Sequence, residues 1–167
     1  MPSALRISFK LLNEEETLQL GRTLASVCSG GAVIYLQGTL GMGKTTLSRG
    51  LLLGLGYDGK VKSPTYTIVE PYEWDELNVY HFDLYRLDDP EELELMGARD
   101  YFSDASLCLV EWPERGEGWI PGADLDICFE RAGNGRQLWL SACTEKGREM
   151  LLALQKQPLP FSSGEIA

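Results

Sequence analysis

The first third of the chain alternates between strand-like and helix-like patterns of apolar residues. Apolar side chains at every second position over residues 5–11 predict a strand. Asn13 is a typical helix N-cap, and the apolar stripe after it predicts a helix that ends near Cys28. A short apolar and β-branched run at 32–37 predicts a second strand, and the helix-length segment that follows ends at Gly56.

The remaining pattern predicts a sheet whose strands do not all run the same way. Residues 66–72 and 77–83 alternate like the two strands of a hairpin joined through residues 73–76. The apolar run that begins at residue 107 predicts a buried strand, which Pro113 ends. The other predicted elements are a short helix over residues 88–97, a strand pair at 126–130 and 137–143 around a turn at 132–136, and a last helix capped by Thr144.

A glycine-rich segment lies between the second predicted strand and its helix, and it fits the pattern G-x-x-x-x-G-K-[ST]. Strand, glycine-rich loop and helix is the setting that a phosphate-binding loop requires. Glycines let the backbone N–H groups approach phosphate oxygens, the lysine adds a cation, and the hydroxyl after it suits Mg²⁺. The alternative is a glycine-rich turn that binds nothing. The predicted nucleotide-binding residues are Gly38, Thr39, Leu40, Gly41, Met42, Gly43, Lys44, Thr45 and Thr46.

Two carboxylates end predicted strands. Asp83 closes the second hairpin strand, where it would reach a metal-bound water or a γ-phosphate; the alternative is a solvated strand-end carboxylate. Glu111 closes the buried strand, and the carboxyl ends of parallel strands are where such sheets bind ligands. Beside a phosphate-binding loop, Glu111 is therefore predicted to help hold Mg²⁺; the alternative is an incidental glutamate.

Three further residues have both a functional and a structural interpretation. Thr65 follows Ser63-Pro64 in a region where many NTPases sense the γ-phosphate, but a plain proline turn explains it equally well. His81 is predicted to be a packed or hydrogen-bonded structural residue and is left out of the catalytic set. Trp74, at the predicted hairpin tip, is either a partner contact or a packed turn aromatic.

Length and composition narrow the class of protein. A chain of 167 residues with 44% hydrophobic content predicts one domain, at residues 1–157, and a disordered tail at 158–167. The net charge of −10 argues against a large interface with nucleic-acid phosphates, so any link to nucleic acid is expected to run through another protein. No apolar run reaches membrane-spanning length, and the four cysteines, in no metal-binding pattern, are predicted to be buried thiols of a cytoplasmic protein.

The phosphate-binding loop occurs together with three other segments, at residues 61–66, 80–86 and 110–114. With these motifs in this order, the chain resembles the TsaE family, formerly called YjeE, over about residues 5–155. The resemblance implies an α/β fold: a single-domain, P-loop NTPase-like, three-layer structure with a mixed, partly parallel central sheet. It also implies ATP and Mg²⁺ as cofactors, and TsaD and TsaB as cytoplasmic partners that install the t6A modification at adenosine 37 of tRNAs reading ANN codons.

The same resemblance assigns roles to individual residues. It implies Lys44, Asp83 and Glu111 as catalytic residues, with Thr45, Asp83 and Glu111 toward the metal. It implies a switch-like loop at residues 63–65, with Thr65 at the nucleotide. It places the adenine, more loosely, between Glu14 and the turn that contains Gly135.

Three rival functions share the phosphate-binding loop. The main one is a small-molecule kinase, which often carries an arginine-bearing lid; Arg86, Arg99 and Arg115 are scattered candidates, and no arginine-rich segment stands out. A GTPase switch is disfavoured because the chain lacks the Asn-Lys-x-Asp motif that reads guanine. A nucleotide-binding regulator without catalysis of its own is the third.

Overall fold

A computed structural model of the chain describes residues 5–28, 30–39, 41, 43–74, 77–159 and 163–166. Its helices are α1 (Glu14–Ala25), α2 (Lys44–Gly54), α3 (Glu91–Leu95) and α4 (Glu145–Gln155), with 3-10 turns at Ala98–Tyr101 and Pro113–Gly116. Its strands are β1 (Arg6–Leu11), β2 (Ala32–Gln37), β3 (Val69–Trp74), β4 (Leu77–Asp83), β5 (Ser106–Glu111), β6 (Leu125–Ala132), β7 (Gly135–Ala142) and β8 (Ser163–Ile166).

Within these residues the strands form one 8-stranded sheet in the order β3-β4-β5-β2-β6-β7-β1-β8. Strands β4, β5, β2 and β6 are parallel, whereas the remaining pairings are antiparallel. The predicted α/β fold with a mixed, partly parallel sheet is confirmed. Because β2, β4 and β5 run in the same direction, their carboxyl ends meet at one edge, where Asp83 pairs in register with Glu111.

Helices α1 and α2 pack with their backbones in contact, because glycines lie where they meet. A Cβ placed on Gly50 would lie 2.3 Å from the Leu18 carbonyl oxygen, and one on Gly21 would lie 2.4 Å from that of Leu47. Both distances are too short for real side chains. The two helices thereby bury Leu20, Leu24, Leu47 and Leu51 almost completely and fix the position of the helix that follows the glycine-rich loop.

Gly50→Ala is expected to destabilise the fold by about 1–3 kcal/mol, because the added methyl must push α1 away from α2. In an unobstructed helix the same change would stabilise by roughly 1 kcal/mol, so the sign of the effect tests the contact. Gly122→Ala is the matched control, since nothing lies within 4 Å of a Cβ at that exposed position. Denaturant unfolding of both variants measures the difference, and a Gly50→Ala protein as stable as the parent would contradict this packing.

Several predicted boundaries are wrong for local reasons. Helix α1 ends at Ala25 rather than near Cys28. The strand expected from residue 66 begins at Val69, because Ile68 adopts a positive φ of 70° and its N–H donates to the Pro64 carbonyl. Strand β3 continues through Trp74, so the hairpin connection is shorter than residues 73–76. The structure does not describe the Trp74 side chain, so a partner contact and a packed turn aromatic both stay predictions for it.

The structure also differs from the prediction at the end of the chain and at the cysteines. Residues 163–166 form β8, antiparallel to β1, whereas disorder was predicted for the tail. Cys28 and Cys108 are buried, and burial raises the pKa of each thiol to about 12, but Cys143 is exposed. Among the described helices, none has the length and apolarity needed to cross a membrane.

Candidate nucleotide-binding site

The glycine-rich loop delivers the uncapped start of α2 into a cavity. Gly43, the N-cap of α2, has a φ of 99°, and no side chain caps the first turn. Gly38 and Gly41 also have positive φ, at 148° and 79°, which disfavours any residue with a Cβ. The first N–H groups of α2 and its positive dipole end are therefore available to an anion such as a phosphate group.

The cavity has a volume of about 370 Å³ and collects residues from six separate segments. These are the glycine-rich loop with the start of α2, the start of α1, the loop at 63–65, the ends of β4 and β5, and the turn between β6 and β7. The predicted site residues that line it are Glu14, Gly41, Gly43, Lys44, Thr45, Thr46, Thr65, Asp83, Glu111 and Gly135. Gly38 and Thr39 are outside the lining, and Leu40 and Met42 lie outside the described residues.

Lys44 places a buried cation at the floor of the cavity. Its side chain is 4% exposed, and its ammonium donates to the Gly38 carbonyl at 2.8 Å. The same nitrogen lies 3.7 Å from Glu111 Oε1 and 4.7 Å from the centre of the Trp112 ring. A buried ammonium needs such compensation, and these contacts keep the charge close to the cavity in the absence of a ligand.

The two acids differ in their surroundings. Glu111 Oε2 lies 2.6 Å from His81 Nε2, so one of its oxygens is held by a fully buried imidazole. Asp83 accepts a hydrogen bond from the Tyr85 N–H at 3.0 Å, and burial raises the pKa of its carboxyl above the usual value. The solvated alternative for Asp83 is therefore wrong, since the residue is only 5% exposed.

Contacts between separate elements hold other residues of the cavity lining in place. Glu14, at the start of α1, pairs with Arg49 of α2 at 3.1 Å. Arg136, at the start of β7 and not in the predicted turn, donates to the carbonyls of Gly41 at 3.0 Å and Gly135 at 2.9 Å. The placement of adenine between Glu14 and Gly135 stays a prediction, although both residues line the same cavity.

Comparison with known proteins identifies the family. A model described as "TsaE: Threonylcarbamoyl adenosine biosynthesis protein TsaE" matches residues 11–138. The chain belongs to the TsaE family. It is 46% identical over 146 residues to the tRNA threonylcarbamoyladenosine biosynthesis protein TsaE of Haemophilus influenzae, with 84% of this chain and 92% of that protein covered. The TsaE protein of Bacillus subtilis is 39% identical over 129 residues, which cover 77% of this chain and 80% of that one.

A solved structure has the same fold as this TsaE-family chain. The crystal structure of Bacillus subtilis YdiB superposes with a TM-score of 0.80 at 30% sequence identity. The match covers 93% of this chain and 98% of that chain.

The residues of this TsaE-family site suit a nucleotide with a divalent cation. Thr45, Asp83 and Glu111 all line the cavity, and hydroxyl and carboxylate oxygens are the ligands that Mg²⁺ prefers. No group of three or more His, Cys, Asp or Glu within the described ranges is arranged to hold a metal alone. Mg²⁺ usually takes one or two protein carboxylates and completes its shell with phosphate oxygens and water.

Sequence patterns missed several residues of the site. Asn13, Thr17 and Asn134 line the cavity, but each has another evident role or no motif of its own. Asn13 caps α1 by accepting from the Glu16 N–H, which is the role predicted for it. His81 was assigned a structural role, and its contact with Glu111 joins residues that lie 30 positions apart in the chain. No local pattern signals such a contact.

Proposed function

We propose that this chain is the ATP-hydrolysing component of tRNA threonylcarbamoyladenosine synthesis. One observation supports this above the others: the uncapped start of α2, Lys44, Asp83 and Glu111 converge on one cavity. The curated relatives are named as tRNA threonylcarbamoyladenosine biosynthesis proteins. The two findings together favour a nucleotide-driven step within that modification.

The residues that line the cavity have different roles in phosphoryl transfer. The N–H groups of the loop and of the first turn of α2 bind phosphate oxygens, and Lys44 exchanges its Gly38 contact for the β and γ phosphates. Thr45, Asp83 and Glu111 would hold Mg²⁺, which would supply positive charge against the charge that develops on the transferred group. Such preorganised charges are usually the largest catalytic term, because little covalent chemistry is left to the protein.

Asp83 is the residue that we assign to the attacking water. Its carboxylate lies at the end of β4 beside Glu111 and lines the cavity, where it would orient the water directly or through Mg²⁺. Its backbone N–H donates to the Ile68 carbonyl at 2.8 Å, which ties Asp83 to the loop that contains Thr65. Hydrolysis at Asp83 is thereby coupled to the conformation of that loop.

The loop at residues 63–65 is proposed as the switch that a partner reads. The Ser63 and Thr65 hydroxyls lie 2.7 Å apart, and both residues line the cavity. Contact with a γ-phosphate would order this loop, and hydrolysis would release it. The partners are proposed to be TsaD and TsaB in the cytoplasm. The net charge of −10 favours an indirect link to tRNAs that read ANN codons, through these proteins.

Turnover with and without the partners tests the proposal. ATP hydrolysis with Mg²⁺ is measured for this chain alone and after purified TsaD and TsaB are added. We expect a low rate that rises with the partners, because the switch loop would then be completed at their interface. A substantial rate that the partners leave unchanged would overturn the coupling. Phosphate transferred to a small acceptor would instead favour a small-molecule kinase. Of the arginines considered for a kinase lid, Arg99 is paired with Glu94 outside the cavity.

A further inference from the structure

We propose that His81 is a positioning residue that holds the Glu111 carboxylate in place for the reaction. The proposal deepens the function proposed above and rests on it. Its starting point is a buried contact at the site that the mechanism does not otherwise use. His81 is fully buried and Glu111 is 5% exposed, so their 2.6 Å contact is shielded from water.

The imidazole has a defined orientation. His81 Nδ1 is buried and has no hydrogen-bond partner among the described residues, whereas Nε2 faces the carboxylate. A buried N–H left without a partner costs more than a bare lone pair, because its desolvation is uncompensated. The proton therefore belongs on Nε2, where it is donated to Glu111, and Nδ1 carries the lone pair.

The two carboxylate oxygens of Glu111 face different residues. Oε2 accepts from His81, and Oε1 lies 3.7 Å from the Lys44 ammonium, beyond hydrogen-bond distance. His81 is thus the residue that fixes the rotation of the carboxylate. When Lys44 is drawn toward bound phosphates, the His81 hydrogen bond remains and continues to stabilise the buried anion.

The pairing of β4 with β5 explains why β4 supplies both His81 and Asp83. His81 and Asp83 lie on the same face of β4, two positions apart, and Asp83 pairs in register with Glu111 of β5. The hydrogen bond from His81 to Glu111 therefore joins β4 to β5 beside the position where Asp83 pairs with Glu111. Outer partners of this kind orient metal ligands in other proteins, and their loss typically costs about 10–100-fold in activity or metal affinity.

A kinetic comparison separates positioning from a merely structural role. His81→Leu removes the donor, and we expect kcat for ATP hydrolysis to fall about 10–100-fold, with nucleotide affinity in the absence of Mg²⁺ unchanged. His81→Gln keeps an N–H donor near Nε2, and we expect it to restore most of the lost kcat. Val79→Ala, on the same buried face of β4, is the control for a packing defect that leaves kcat intact. Equal losses in His81→Gln and His81→Leu would overturn the proposal.

A second measurement does not depend on turnover. The chain has 1 histidine, so an untagged protein labelled with ¹⁵N-histidine gives a single imidazole spin system. We expect the Nε2–H tautomer, with its proton signal moving upfield in Glu111→Gln as the acceptor loses its charge. An Nδ1–H tautomer, or a signal that Glu111→Gln leaves unmoved, would overturn the proposal. Absence of ATP turnover even with TsaD and TsaB present would instead contradict the proposed function and leave this measurement decisive for His81.

Discussion

Lys44→Ala is expected to abolish ATP turnover, with kcat/KM falling by at least about 10²–10³-fold, the loss seen when one preorganised charge is removed from a transition state. Lys44 is the buried cation at the cavity floor, 4% exposed and held by the Gly38 carbonyl. Alanine provides neither the charge that binds the γ-phosphate nor the charge that stabilises its transfer. We expect nucleotide affinity to fall together with kcat.

The fold should survive this substitution. Lys44 is the first residue of α2, where alanine is a good helix former. Glu111 loses a neighbouring cation but keeps its hydrogen bond to His81. Lys146→Ala is the matched control, because Lys146 lies in the first turn of α4 and is exposed. Phosphate release and thermal unfolding are measured for both variants, and normal turnover in Lys44→Ala would refute the assignment of this loop.

Asp83→Asn is expected to lower kcat about 10²–10⁴-fold, the range that a positioned acid or base contributes, and at the same time to stabilise the free protein. The carboxamide keeps an oxygen for the Tyr85 N–H but cannot accept a proton from water. Nucleotide binding should change little by comparison. A variant that hydrolyses ATP at the parental rate would remove Asp83 from the mechanism.

The gain in stability follows from the pKa of Asp83, which burial raises in the folded state. Above that pKa the folded protein carries a buried charge that the unfolded chain solvates freely, so the wild-type carboxylate lowers the free energy of unfolding. The penalty disappears as the pH falls and the folded carboxyl takes up its proton. Asp83→Asn should therefore raise the unfolding midpoint most at neutral pH, by about 2–4 °C if the difference is roughly 1 kcal/mol.

Unfolding scans across pH check this dependence. The exposed Asp58→Asn is the control, since a solvated carboxylate carries no such penalty. If the difference in unfolding midpoint between Asp83→Asn and the wild type grew toward low pH, the burial of the Asp83 charge would not explain it.

The local patterns of the sequence were enough to expect that Lys44, Asp83 and Glu111 would lie together. The glycine-rich loop between strand and helix, and carboxylates at the ends of apolar strands, are short-range signals with direct physical causes. Since parallel strands end at the same edge of a sheet, the sequence alone predicts that Lys44, Asp83 and Glu111 converge. The structure places all three on one cavity.

What the sequence could not predict depends on contacts between distant segments. The bond from His81 to Glu111 requires the register of β4 against β5, which no local pattern contains. The hydrogen bond from Arg136 to Gly41 requires that the start of β7 lie beside the glycine-rich loop, a contact across 95 residues. Ile68 has a positive φ that its β-branched side chain disfavours, so propensity predicted a strand there.

The measurement that tests the central claim most directly is ATP hydrolysis in ¹⁸O-labelled water. The claim is that water, positioned at Asp83, attacks the γ-phosphate bound by the glycine-rich loop and Lys44. With Mg²⁺, TsaD and TsaB present, we predict inorganic phosphate that carries oxygen from the labelled water, and none from the Lys44→Ala protein. Unlabelled phosphate, or phosphate recovered only on an acceptor molecule, would contradict hydrolysis and establish a phosphotransferase in its place.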